Sequence, residues 1–138
     1  MIEVYVNRGV IRHRLGNPAG AIPDFDQGFR LDDRPNAGRY ARGNAWNALK
    51  EFDRASADYD QALALDPNLA DAYNNRGIVY FAQGDLEGGV ADYSRPIAIN
   101  PAHPPAYFNR VIALRLVMRY AESANASYDL RSLLGFDS

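Results

Sequence analysis

A repeat of 34 residues runs through the chain without a gap, and it limits the possible folds more than any other feature. The positions in register include Tyr5, Arg39, Tyr73 and Tyr107, followed four residues later by Gly9, Gly43, Gly77 and Val111. A fixed period of this length is typical of a solenoid, in which each unit packs only on its neighbours. Four such copies fill the 138 residues.

Each copy is predicted to form two helices, as the third copy illustrates. Apolar residues recur with helical spacing over residues 73–81 and again over 86–99. Between the two stripes, Gly84 permits the left-handed conformation that ends a helix, and Asp85 can cap the next one. Pro101 stops the second helix because proline disfavours helix at the preceding residue. A short turn between helices predicts an antiparallel pair.

Small residues are expected to set the packing within a pair. Gly77 on the first helix and Gly89 on the second leave room for a close approach. Tyr73 and Tyr93 are then predicted to stack over the contact, and Tyr80 to face the neighbouring copy.

This pattern resembles the tetratricopeptide repeat over residues 2–137. The residues that carry the resemblance are Gly77, Tyr80, Gly89, Tyr93 and Pro101 in copy three, and Gly43, Trp46, Ala55, Tyr59, Ala62 and Pro67 in copy two. The resemblance implies an all-α, right-handed superhelical solenoid of antiparallel helix pairs with about eight helices. It implies one domain over 1–138 with repeats at about 2–35, 36–69, 70–103 and 104–137. It also implies a concave face that binds a protein or peptide partner.

The concave face of such a solenoid is formed by the first helix of each repeat. We expect it to contain Asn7, Arg14, Tyr40, Asn44, Asn47, Asn74, Asn75, Ile78, Phe108, Asn109, Ile112 and Arg115. Asparagine recurs at Asn7, Asn75 and Asn109, with Ala41 as the exception. An amide both donates and accepts, so a row of them can pair with the backbone of a bound extended peptide. The alternative is that these asparagines are only polar helix surface.

A second row of residues suggests ion pairs. Arginine recurs immediately before the packing position of each first helix, which is glycine in three copies and Val111 in the fourth, and aspartate recurs before the aromatic residue of three second helices, at Asp24, Asp58 and Asp92. The parallel recurrence favours partly buried Arg–Asp pairs within or between repeats. The other interpretation is an arginine row for an anionic partner.

Some members of the family hold the C-terminal carboxylate of a chaperone with Lys, Arg and Asn side chains. The matching positions in this chain are Val6, Val10, Ala41, Asp71 and Asn75. Only Asn75 has suitable chemistry and Asp71 has the wrong sign, so the resemblance does not favour this function here.

Charge and hydropathy exclude several other classes of partner. The formal net charge is −2, and no repeat is strongly basic, so we expect no nucleic-acid binding. No run of about 18 apolar residues is present, so no membrane insertion is expected. The start of the sequence lacks a basic segment followed by an apolar one, so no signal peptide is expected and a cytoplasmic location is the default.

Enzymatic activity is not predicted. His13 and His103 are far apart in the sequence, and no phosphate loop, nucleophile elbow or metal-ligand cluster is present. We therefore expect no catalytic residues, no metal and no cofactor. A non-catalytic scaffold is favoured, and the alternative function is a self-assembly module that forms homo-oligomers through uncapped terminal repeats.

Two departures from the repeat pattern carry further expectations. Pro96 stands inside a second helix and predicts a kink or an early helix end near Asp92, either as tolerated drift or as a hinge. In copy four, the second helix is expected from residue 120 to 134. Its apolar residues either cap the array or meet another chain, and they include Leu130, Leu133, Leu134 and Phe136.

Overall fold

The protein is an all-α solenoid of antiparallel helix pairs, as the repeat predicts. A computed structural model describes residues 2–31 and 36–123. Within these ranges there are seven helices, which are α1 (Ile2–Arg14), α2 (Pro18–Leu31), α3 (Asn36–Ala48), α4 (Phe52–Leu65), α5 (Ala70–Ala82), α6 (Leu86–Ile99) and α7 (Pro104–Ser123). The predictions for Leu130, Leu133, Leu134 and Phe136 fall outside the described residues. The pairs α1–α2, α3–α4 and α5–α6 stack in sequence order, and α7 packs on α6.

Glycine on each first helix allows the second helix to approach closely. A Cβ atom at Gly43 would lie 2.7 Å from Tyr59 Cε1, and one at Gly77 would lie 2.8 Å from Tyr93 Cδ1. Tyr59 is completely buried, so its ring fills the space that the glycine leaves. The predicted close contacts are therefore present in both central repeats.

The predicted stacking of Tyr73 on Tyr93 is wrong. The ring of Tyr93 instead lies beside Phe81, with centroids 6.3 Å apart. Tyr73 packs against the core of the preceding pair, and the guanidinium of Arg76 lies 5.6 Å from its ring centroid. The physical reason is that Tyr73 projects toward α4, so that it belongs to the contact between pairs.

In each of the first three repeats, the turn after the first helix contains one residue in the left-handed backbone conformation, always at the same repeat position. The residues are Gly16 (φ 87°), Lys50 (φ 60°) and Gly84 (φ 83°). Met118 occupies this position in the fourth copy, where the chain stays helical and α7 reaches 20 residues. Residues 120–123 therefore belong to α7, and the prediction that a second helix begins at residue 120 is wrong.

The proline inside α6 does not end the helix early, contrary to the sequence-based expectation. The helix continues to Ile99, and the Asn100 N–H donates to the Pro96 carbonyl at 2.7 Å. The ring of Pro96 is fully buried in the core. Its apolar contacts offset part of the free energy lost with the missing backbone hydrogen bond.

The recurring arginines and aspartates form the predicted ion pairs. Within one pair of helices, Arg42 donates from Nε and Nη2 to Asp58, both at 2.7 Å. Arg76 contacts Asp92 in the same way, at 2.7 and 2.9 Å. Asp58 and Asp92 are buried, so these are structural contacts that join a first helix to its second helix.

A histidine caps the start of α7. The N–H of Ala106 donates to His103 Nδ1 at 3.2 Å, which leaves the ring proton on Nε2. That nitrogen donates to Asp71 Oδ1 at 2.7 Å. His103 therefore connects α7 to the first turn of α5, and its role is structural.

Candidate functional site

The first helices of the repeats form one continuous inner face. Contacts join α1 to α3, α3 to α5 and α5 to α7, whereas no comparable contacts join α2, α4 and α6 to one another within the described part of the chain. Helices that touch along one side and separate along the other make the array curve. The first helices consequently lie on the inside of the curve.

A network of hydrogen bonds between side chains crosses this inner face. It begins in the second repeat, where the Tyr59 hydroxyl donates to Asn44 Oδ1 at 2.7 Å. From the next repeat, Asn75 Nδ2 donates to Asn44 Oδ1 at 2.9 Å and to the Tyr40 hydroxyl at 3.0 Å. Four of these polar groups thus meet at the junction of α3 and α5.

The same network extends to the fourth repeat. Asn74 Nδ2 donates to Asn75 Oδ1 at 3.4 Å, and Asn109 Nδ2 donates to Asn74 Oδ1 at 3.1 Å. Asn74 is buried, whereas Asn75 and Asn109 are partly exposed. The asparagines therefore hydrogen-bond to one another across the repeats, and Asn75 and Asn109 are only partly buried.

The network does not reach the first repeat. At the equivalent position of α3 the residue is Ala41, and the facing residue of α1 is Val6, which is buried. Neither side chain has a donor or an acceptor. Asn7 and Arg14 are exposed on α1 and lie outside the network, so the structure does not bring them together with the other candidates.

Large apolar side chains are exposed next to the amides. Phe108 is 68 % exposed, and Ile78 and Ile112 are also exposed. A cavity of about 460 Å³ lies along α7, and its described lining residues are Ile112, Arg115, Leu116, Met118 and Arg119. Exposed apolar surface next to polar groups is typical of a binding site.

The tyrosines of the network are protonated at neutral pH. Burial raises the pKa of Tyr40 above its usual value, although hydrogen bonds from Asn44 and Asn75 partly oppose the shift. Burial also raises the pKa of Tyr59 well above the usual range. Both hydroxyls can therefore donate and accept hydrogen bonds, and they add no charge to the inner face.

Sequence reasoning did not assign Tyr59, Leu116 or Met118 to this region. Tyr59 belongs to the aromatic row of the second helices, and nothing in the sequence indicates that its hydroxyl reaches Asn44. Leu116 was detectable, because it lies one helical turn after Ile112 on the same face of α7. Asn47, which was predicted, lies partly exposed on α3.

The described residues offer neither a metal site nor a membrane span. Over residues 2–31 and 36–123, no group of three or more His, Asp or Glu side chains is placed to hold a metal ion. None of the seven helices combines the length and the hydropathy that a membrane span requires.

Family models match three of the four repeats. A model described as TPR repeat matches residues 43–84, and one described as tetratricopeptide repeat matches residues 2–35 and 70–103. A search of curated proteins gave no match.

Several solved structures have the same fold. The first TPR of Spaghetti (RPAP3), bound to the HSP90 peptide SRMEEVD, is 26 % identical with a TM-score of 0.81, and the match covers 85 % of this chain and 93 % of that chain. The first TPR domain of human RPAP3 is 27 % identical with a TM-score of 0.79, with coverages of 93 % and 98 %. MamA is 26 % identical with a TM-score of 0.79, with coverages of 91 % and 69 %.

Proposed function

The chain belongs to the tetratricopeptide-repeat family, and from this premise we propose that it is a non-catalytic scaffold whose inner face binds a peptide segment of a partner protein. The observation that carries the proposal is the exposure of Phe108, Ile78 and Ile112 beside the partly exposed amides of Asn75 and Asn109. The structural relative RPAP3, which is bound to an HSP90 peptide, supports the same mode of action.

The chemistry of the inner face favours an apolar peptide. Phe108, Ile78 and Ile112 offer apolar anchors, and the remaining donors and acceptors of Asn75 and Asn109 can pair with a peptide backbone. A clamp for a C-terminal carboxylate is not favoured. The positions that match it include Val6, which is buried, and Asp71, which repels a carboxylate and contacts His103.

Affinity selection from a peptide library, followed by titration of the selected peptides, tests this proposal. The double variant Phe108→Ala/Ile112→Ala removes two exposed anchors without opening the core, and we expect it to weaken binding by at least about tenfold. Leu65→Ala is the matched control, because Leu65 is an equally apolar, exposed residue on α4. Peptides that bind the double variant as tightly as the unmodified protein would contradict the proposal.

The asparagines need a separate variant because they also join the repeats. Asn75→Ala with Asn109→Ala removes three interrepeat hydrogen bonds together with any bonds to a peptide. Its free energy of unfolding must therefore be measured beside its affinity. A loss of affinity at a temperature where the variant is folded supports a direct role of these amides.

Self-assembly through the repeat ends is the second candidate function. The exposed apolar residues Val4 and Ile11 of α1, and Leu15 directly after the helix, favour it. Light scattering across a dilution series tests it, since an oligomer that persists on dilution is expected. A monomer at every concentration would exclude this candidate and leave the peptide-binding proposal untouched.

A further inference from the structure

One face of α1 has the character of an interface between repeats. Val4 and Ile11 are 54 % and 56 % exposed. In the other three first helices, the equivalent positions are buried against the preceding pair, at Gly38, Ala45, Ala72, Val79, Ala106 and Ala113. Val4, Arg8 and Ile11 form one stripe along α1, and Leu15 follows directly after the helix; we name these four residues the α1 docking face.

The buried contacts between successive repeats show which charged group the preceding helix places against such a face. Arg42 Nη1 lies 2.9 Å from Asp26 Oδ1 of the preceding second helix. One repeat later, Arg76 Nη1 lies 2.7 Å from Asp60 Oδ1. At both junctions, the preceding helix therefore supplies a carboxylate to the third nitrogen of the arginine, in addition to the two bonds made within the pair.

Arg8 has the first set of contacts but not the second. Its Nε and Nη2 donate to Asp24 Oδ1 at 3.0 and 2.7 Å, and Asp24 is the one carboxylate that it contacts among the described residues. Its side chain is 50 % exposed, against 20 % for Arg42 and 19 % for Arg76. Arg8 is more exposed because a preceding second helix covers Arg42 and Arg76, whereas no described helix covers Arg8 in this way.

The surroundings of Arg8 are also positive. An open cavity of about 540 Å³ lies beside it, and its lining includes Arg12 and Arg30 as well as Asp24 and Asp26. Arg12 Nη1 lies 3.0 Å from the second oxygen of Asp24. Three guanidinium groups therefore face two carboxylates, and an additional carboxylate is electrostatically complementary to this end of the molecule.

We propose that the α1 docking face binds an amphipathic helix of another protein, with Asp or Glu placed to reach Arg8 Nη1 and small apolar residues placed against Val4 and Ile11. A helix is the fitting occupant because the three buried equivalents of this face are each covered by one. Small residues are required because Val4 and Ile11 are bulkier than Ala72 and Val79. This surface lies outside the inner face, so the proposal does not depend on the peptide groove.

A stapled peptide with the sequence of residues 52–65 is a suitable probe, because α4 already presents Asp60 to Arg76 in this way. The staple holds the helix, which at this length is only marginally stable in water. Fluorescence anisotropy with the full chain measures its dissociation constant. We expect Ile11→Asp to weaken binding by at least about tenfold, and replacement of Asp60 by Asn in the peptide to weaken it about threefold. Higher salt should weaken binding of the aspartate peptide more than binding of the asparagine peptide.

The controls separate this surface from the rest of the molecule. Leu65→Asp introduces the same charge at another exposed apolar residue and should leave binding unchanged. Binding that is lost in Phe108→Ala/Ile112→Ala but kept in Ile11→Asp would place the peptide in the groove and overturn the proposal. Self-association of the chain that Ile11→Asp abolishes would identify a second copy as the occupant and would also overturn it.

Discussion

Replacement of Arg76 by methionine should leave a carboxylate in the core without its cation. Arg76 makes two hydrogen bonds to Asp92 and one to Asp60. The side chain of Asp92 is 8 % exposed, so water cannot replace the lost bonds, whereas Asp60 is mostly solvated. Methionine keeps most of the apolar stem of arginine, and the variant therefore isolates the loss of the guanidinium.

The expected loss of stability is large for a single substitution. Removing one partner of a buried ion pair costs about 3–5 kcal/mol, and an exposed pair contributes no more than about 1 kcal/mol. Arg76 retains some exposure, which places its pair with Asp92 near the lower end of the first range. We expect Arg76→Met to lower the free energy of unfolding by about 3 kcal/mol at neutral pH.

This loss should depend on pH. Burial raises the pKa of Asp92 above its usual value although Arg76 opposes the shift, so the pKa rises further when Arg76 is removed. A carboxyl group whose pKa is higher in the folded state favours folding in its protonated form. The deficit of the variant should therefore be small below about pH 4 and grow as the pH rises through the raised pKa.

Urea denaturation followed by circular dichroism at neutral and acidic pH measures both effects. Adding Asp92→Asn to the Arg76→Met variant removes the buried charge and should restore most of the lost stability. Arg8→Met is the matched control, with an expected loss well below that of Arg76→Met, because Arg8 is half exposed and Asp24 keeps Arg12 as a partner. Equal losses in the two arginine variants, or no recovery with Asp92→Asn, would refute the reasoning.

Four further changes test other parts of the fold. Gly43→Ala should lower stability by about 1–2 kcal/mol, because its Cβ would lie 2.7 Å from the buried Tyr59 ring; an unchanged melting temperature would contradict this. Lys50→Gly should raise stability by about 1 kcal/mol in urea by relieving a φ of 60°, and a loss would contradict it. His103→Ala should cost about 1 kcal/mol by removing the cap on Ala106, with His103→Asn retaining most of it. Burial raises the pKa of Tyr93 to about 12, so its contribution to stability should be complete below about pH 10 and decline above it. Ultraviolet absorbance measures the ionisation of the tyrosine, and circular dichroism measures the unfolding. Tyr93→Phe should reduce the decline.

Features that recur at the same position in several copies could be predicted from the sequence. The Arg–Asp pairs are of this kind, because both partners repeat with the same period, and the same pair in another copy supports the prediction. The close contact of Gly77 with Tyr93 is another, since a residue without a side chain faces an aromatic one in every central copy. A sequence repeat thus predicts a contact between two residues when both residues recur at the repeat spacing.

Features that belong to one copy were harder to predict. The sequence reveals the recurrence of Asn75 and Asn109, but an amide can donate or accept in several directions, and only the structure shows the bonds between repeats. Pro96 is compatible with a continuous α6 because its ring packs in the core, where tertiary contacts outweigh the local preference. At Met118 the fourth copy stays helical, whereas Lys50 at the same repeat position takes the left-handed conformation, so the residue type at this position does not predict the turn.

The uneven amide network gives the solenoid an uneven stiffness. Between the first and second repeats, Arg42 bonds to Asp26, and apolar residues that include Val6, Phe29 and Ala41 pack beside this bond. Dispersion contacts have no preferred direction and tolerate sliding, whereas hydrogen bonds resist it. We therefore expect the first repeat to shift more readily against the second than the other three repeats shift against one another, since Asn75 and Asn109 join those three by hydrogen bonds.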